Sequence, residues 1–256
     1  AGFSAKWANE LIVHQKALGR KHVLDPFAGS GTVLIEAENC GVASIGIEAH
    51  IFVSRVAHAK LNSRVDPEIF LEHSRVALRR AQSKNAKIER YPSLIQRCYP
   101  NEVLQKLDQL RQVIDETHDG SDYSELLWLT LTSILRECSP VGPAQWQYVL
   151  PEKSKSRSTD PFEAFNKKAN LMHLDIAYRN AQDNSQLAVL YQDDARECSL
   201  VKDNWADLVV TSPPYANNYD YADATRLELS FWGEVNNWGD LHNVIRRNLI
   251  RSCAQH

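Results

Sequence analysis

Residues 21–50 read KHVLDPFAGSGTVLIEAENCGVASIGIEAH. The apolar run at 22–24 predicts a short strand, and residues 26–31 a glycine-containing turn. Helical spacing of Val33, Leu34 and Ala37 predicts a helix over 32–39. Gly41 is placed to stop that helix, and residues 43–47 return to strand character before Glu48. Strand, turn, helix, strand is the crossover unit of a parallel α/β sheet, because two parallel neighbours cannot be joined by a hairpin.

Working outward, strand character recurs in LAVLYQDDA (187–195) and ADLVVTSPPY (206–215). Four strands of one sheet are therefore expected, the second and third separated by about 130 residues, too long for a simple crossover. Residues 51–183 are mostly helical in pattern, broken by the proline-containing stretch SPVGPAQWQYVLPEKSKSRSTDPF. The expected organisation is a discontinuous catalytic domain, 1–50 with 184–256, around a helical insertion, 51–183.

A ligand of an open α/β sheet binds at the carboxyl ends of the strands, where Gly29 and Gly31 allow close backbone approach. A phosphate-binding P-loop requires lysine before Ser or Thr, and Gly31 is followed directly by Thr32. A dinucleotide fingerprint requires a third glycine where Leu34 stands. S-adenosylmethionine suits the turn better: Asp25 can meet its ammonium, Glu48 its ribose hydroxyls and Asp194 its adenine amino group. Each carboxylate alone also reads as a cap or a surface charge.

The stretch TSPPY, 211–215, ends an apolar strand in two residues that cannot donate a ladder hydrogen bond. Together, DPFAGSGT and the distant TSPPY resemble the amino-methyltransferases that modify exocyclic nitrogens of nucleic-acid bases. The resemblance covers residues 1–50 and about 187–230. It implies a Rossmann-like methyltransferase sheet, S-adenosylmethionine as cofactor, a cofactor site of Asp25, Phe27, Gly29, Gly31, Thr32, Glu48, Asp194 and Ala195, and a catalytic loop of Ser212, Pro213, Pro214 and Tyr215. An exocyclic amine is a poor nucleophile because its lone pair is delocalised into the ring. Oxygens that accept its hydrogens, from Ser212 and the Pro213 carbonyl, localise that pair. The fixed φ of both prolines stiffens the loop, and Tyr215 offers a stacking face for a flipped base. In this family serine at the first motif position accompanies methylation at N4 of cytosine, so Ser212 points to cytosine over adenine.

The partner implied is double-stranded DNA. Arg79, Arg80, Lys84, Lys87 and Arg90, with Lys153, Lys155 and Arg157, are candidates for phosphate contacts, and Asn217, Asn218, Tyr219 and Tyr221 for flanking an extruded base. Phe231, Trp232 and Trp238 read rather as core. Two features depart from the family pattern: the position of the insertion, and four candidate strands where seven are expected. The second predicts a C-terminally incomplete sheet, finished by a missing part of the chain or by a partner chain. The alternatives are an RNA guanine-N2 methyltransferase, which shares the DPF-x-GSGT-x-LIEA form, and a non-catalytic nucleic-acid-binding module that keeps the cofactor fold.

Composition agrees with a globular protein: 43% of the 256 residues are hydrophobic, and the formal charge of −3 excludes a uniformly basic coat. No apolar run of membrane-spanning length occurs, so no membrane partner is expected and the cytoplasm is the expected location. The five cysteines are scattered without a C-x-x-C pair, which indicates neither a disulfide framework nor a metal site.

Overall fold

The computed structural model describes residues 4–143, 149–154, 158–182, 185–215 and 220–250. Lys155, Arg157, Asn217, Asn218 and Tyr219 lie outside the described residues, as does Cys253. A first helix, α1 (Ala5–Ala17), leads into β1 (His22–Asp25), α2 (Thr32–Asn39) and β2 (Ala43–Ile47), with the bounds that the apolar spacing predicts to within a residue. β1 and β2 pair in parallel, from His22 against Ala43 to Asp25 against Gly46. Two short strands complete the sheet: β5 (Val189–Tyr191) beside β2 and β6 (Leu208–Val209) beside β1, both parallel, in the order β5-β2-β1-β6. This is a mixed α/β chain with a four-strand parallel sheet of the Rossmann-like kind.

The edge strands are shorter than the apolar runs that predicted them, 187–195 and 206–215. Each has one neighbour, and after Val209 the ladder continues only through Val210 N–H to Leu24 O at 3.1 Å before Pro213 and Pro214 intervene. Two apolar clusters seat the helices on the sheet. One joins Ile12, Val23, Val33, Ala37, Val42 and Val210; the other joins Ala28, Leu34, Ala57, Leu61 and Leu190. By strand register Asp25, Gly46 and Leu190 share a face, and the helix lies so close there that Gly46 cannot carry a side chain. A Cβ on Gly46 would stand 2.6 Å from Leu34 Cδ1 and 2.9 Å from Ala28 Cβ.

Helices α3 (Ile51–Leu61), α4 (Pro67–Ala81), α5 (Ser93–Cys98), α6 (Asn101–Thr117), α7 (Asp122–Cys138) and α8 (Pro161–Asn180) occupy the middle of the chain. An Asp-Pro pair starts two of them. Asp66 accepts from the backbone of Glu68 and Ile69, and Asp160 from Phe162 and Glu163, with proline in the first turn where its missing N–H costs nothing. The proline-containing break between α7 and α8 is not plain loop: β3 (Val141–Pro143) and β4 (Val149–Ser154) form an antiparallel pair there, and Lys153 lies on β4.

The largest core is helical and crosses the chain's divisions. It packs Leu104, Leu107 and Leu110 of α6, Trp128 and Leu131 of α7 and Phe165 of α8. Phe231 of α9 (Arg226–Trp232) and Leu241 of α10 (Asp240–Val244) close it from the C-terminal segment. Phe231 is buried and Trp232 partly so, whereas Trp238 is 43% exposed under the guanidinium groups of Arg226 and Arg246. Two ion-paired arginines lock this assembly. Arg136 binds Glu228 through two nitrogens, and Arg179 reaches the buried Glu38 of α2 while also donating to Leu61 O at 2.9 Å.

Candidate active site

β1 has β2 on one side and β6 on the other, so the chain leaves β1 in one direction and returns on the opposite flank. Ligands of open α/β sheets bind outside the strands' carboxyl ends at such a switch point. A cavity of about 450 Å³ opens there. Its lining includes Asp25, Phe27, Gly29, Thr32, Glu48, Asp194 and Ala195 together with Ser212, Pro214 and Tyr215. The two distant motifs therefore face one space.

Gly31 and Pro213 do not line it. Gly31 adopts φ +81°, the left-handed cap before α2, and the place of its missing Cβ lies 3.4 Å from Ala57 Cβ of α3, so both its backbone conformation and helix packing favour glycine there. Gly29, at φ +53°, has its Cβ position open except for Phe27 O at 4.0 Å, and it lines the pocket. Pro213 is exposed between two lining neighbours.

Glu48 is the organising carboxylate. One oxygen accepts Gly29 N–H and the other His50 N–H, both at 2.8 Å. Each oxygen keeps a second lone pair, a suitable acceptor set for two adjacent hydroxyls. Burial raises its pKa, against those two N–H bonds which lower it. Asp25 is buried at 2% exposure, accepts from Thr211 Oγ1 at 2.7 Å and Phe27 N at 3.1 Å, and burial raises its pKa to about 6. A carboxylate so placed is suited to receive a cationic ligand group. Volume, open glycine, vicinal-hydroxyl acceptor and buried acid together fit a nucleoside bearing an ammonium group.

Asp194 fits its expected part less well. It lines the cavity, yet its carboxylate is taken by Arg196, whose Nε lies 2.9 Å from both oxygens and holds its pKa down. A ligand amine there competes with a guanidinium already in place.

The basic run proposed for phosphate contact is also largely occupied. Arg79 pairs with Glu72, Arg80 and Lys84 with Glu116, and Arg90 with Asp108. Three of these pairs tie the basic stretch to α6, which carries Asp108 and Glu116. The charge runs alone could not show this.

Sequence reasoning missed His50, Thr211 and Thr225. His50 and Thr225 line the cavity and meet each other, and Thr211 braces Asp25. Only the position of Thr211, immediately before Ser212, carried a signal. Tyr221, considered beside an extruded base, lines the cavity and accepts Tyr215 N–H on its hydroxyl at 3.2 Å. Among the described residues no group of three or more His, Cys, Asp or Glu is arranged to hold a metal ion, and no helix is long and apolar enough to cross a membrane.

The parallel α/β sheet and the cavity shared by the glycine turn and the Ser-Pro-Pro-Tyr loop support an amino-methyltransferase of the N4-cytosine/N6-adenine type. In agreement, residues 8–59 match the family model described as DNA methylase. The chain is similar to the Type II methyltransferase M.BsoBI of Geobacillus stearothermophilus, 27% identical over 91% of this chain and 51% of that protein. It is also similar to M.AvaI of Nostoc sp. and of Anabaena variabilis, 23% identical over 98% of this chain and 55% of each of those proteins. The chain thus spans about half the length of the curated relatives it matches. No solved structure matches it.

Proposed function

We propose that this protein is a site-specific DNA methyltransferase that transfers the methyl group of S-adenosylmethionine to an exocyclic base amine, N4 of cytosine. One observation carries the reading: Gly29 and Glu48 line the same cavity as Ser212 and Tyr215. When bound, S-adenosylmethionine supplies an electrophilic methyl carbon on sulfur. The protein's share is positional. Glu48 holds the ribose hydroxyls, and Asp25 receives the ammonium, which favours its charged form. Ser212, which lines the cavity, accepts a hydrogen of the target amine and directs its lone pair outward, Pro213 and Pro214 stiffen the loop on either side of that contact, and the half-exposed Tyr215 ring stacks on the flipped base. No covalent protein nucleophile is needed, since orientation of amine and methyl carbon carries the rate. The choice of cytosine rests on Ser212 in the serine form of the motif.

The test is nucleoside mass spectrometry after incubating the protein and labelled S-adenosylmethionine with duplex DNA, transfer RNA or ribosomal RNA. The expected product is 4-methylcytosine in DNA. Finding 6-methyladenine overturns the cytosine assignment alone; label confined to RNA overturns the DNA assignment. Absence of S-adenosylmethionine binding by calorimetry, with salt-sensitive DNA binding retained, makes the protein a binding module.

A further inference from the structure

The target loop is poorly held by ordinary means. It follows a strand of two residues, Val209 is 58% exposed, Pro213 is exposed, and Tyr215 is 54% exposed. Neither ladder nor packing fixes it firmly. Two side-chain hydrogen bonds do cross from its flanks to the opposite wall. Thr211 Oγ1 donates to Asp25 Oδ1 at 2.7 Å across 186 positions, and the His50 ring meets Thr225 Oγ1 at 2.9 Å across 175. Thr211 immediately precedes Ser212. Thr225 ends the short helical turn Asp223–Thr225, and Tyr221, two residues before that turn, accepts the Tyr215 N–H, while Ala224 N–H bonds back to Asp220 O at 3.1 Å.

The polarity of the second bond can be assigned. The Thr225 hydroxyl spends its one proton on Ala222 O at 3.0 Å, so it accepts from His50, and Nε2 carries the imidazole proton. Nδ1 is then bare, in accord with its lacking any protein partner, and burial keeps the ring neutral with a pKa of about 4. His50 is anchored in turn by its own N–H on Glu48, the carboxylate that also holds Gly29. An unbroken chain of hydrogen bonds therefore runs from the glycine turn through Glu48, His50 and Thr225 to the turn beyond the target loop.

We propose that Thr225, acting through the Nε2–H tautomer of His50, is a positioning residue that sets the Ser212–Tyr215 loop against the cofactor wall, with Thr211 on Asp25 as its counterpart at the loop's entry. The role in rate rests on the methyltransferase reading; the latch itself does not.

The experiment compares Thr225→Val and Thr225→Ser with the wild type. Without any ligand, hydrogen exchange of the amides of Thr211, Ser212 and Tyr215 is expected to quicken about three- to tenfold in Thr225→Val, the loss of one hydrogen bond, while amides of α6 and α7 keep their rates. The serine variant restores slow exchange. With S-adenosylmethionine and duplex DNA, Thr225→Val is expected to lower kcat roughly 10- to 100-fold with the dissociation constant of the cofactor within about twofold, and serine again restores it. Unchanged loop exchange in the valine variant overturns the latch. Exchange that quickens equally in α6 and α7 overturns it too, since the effect is then general loosening. A wild type that neither binds S-adenosylmethionine nor methylates defeats the proposed function instead, and the ligand-free exchange data still decide the latch.

Discussion

On the side of the pocket built by residues 21–50, the functional groups stand on paired strands and are held largely by backbone. Asp25 ends a central strand paired on both flanks, Glu48 is gripped by two N–H groups, and Gly46 lets α2 press against the sheet. On the side built by residues 208–225, the strand is two residues long at an edge, and side chains reach across to brace the loop. The first wall suits a cofactor of fixed shape, which favours preorganisation. The second suits a target that must enter and leave, and regions that move are drawn from the less stable parts of a fold.

The contrast can be broken most forcefully at Asp25. Its folded-state pKa near 6 exceeds the ordinary 3.8, so the folded state binds the proton more tightly. Stability from this group is present at low pH and is lost as pH rises from about 4 through 6. Asp25→Asn keeps an acceptor for Thr211 and Phe27 but no charge, and is expected to gain up to about 3 kcal/mol over the wild type at pH 7.5. In chemical denaturation the gain should vanish below about pH 4, while the loss of cofactor affinity should be largest above about pH 6, where the wild-type carboxyl is ionised. A wild-type-like stability profile at pH 7.5 would mean that the buried charge is already compensated.

Next in size is Gly46→Val, expected to cost about 2 kcal/mol or more by overpacking Leu34 and Ala28, measured as a lower urea midpoint with an unchanged slope. No comparable penalty is expected for Ser212→Ala on the other wall. There the expected outcome is an unaltered midpoint with kcat down about tenfold, some 1.4 kcal/mol in activation free energy. If the two variants instead behave alike in denaturation, the two walls are equally rigid and the comparison fails. The smallest effect belongs to Arg80→Ala. Its guanidinium is already engaged by Glu116 at the surface, so duplex DNA affinity at 0.15 M salt should change by less than about twofold in a fluorescence-anisotropy titration.

The two walls also differed in how far the sequence disclosed them. β1, α2 and β2 were legible nearly to the residue, because local periodicity and turn chemistry agree there. The same reading placed Asp25, Gly29, Glu48, Ser212 and Tyr215 around one site. It failed where pairing is long-range. His50 and Thr225 are unremarkable letters until folding brings them together, and the need for glycine at 46 comes from Leu34 on another element. β3 and β4 were hidden by Pro143 and Pro151, which read as a break although a short irregular strand pair tolerates them. The partners of the basic run could not be read from it because the acids, Asp108 and Glu116, belong to α6.

The helical core has a consequence for synthesis of the chain. Its first apolar contributors include Phe52 and Phe70, yet Phe231, Leu241 and Ile245 close it, so a nascent polypeptide must carry an unfinished greasy cleft until the segment around Ile245 has followed. At ordinary elongation rates that interval lasts on the order of tens of seconds, during which the strand pair β1–β2 and its helix can form without waiting. Ribosomes paused shortly before codon 227 should therefore display a chain that chaperones hold and proteases cut within the helices.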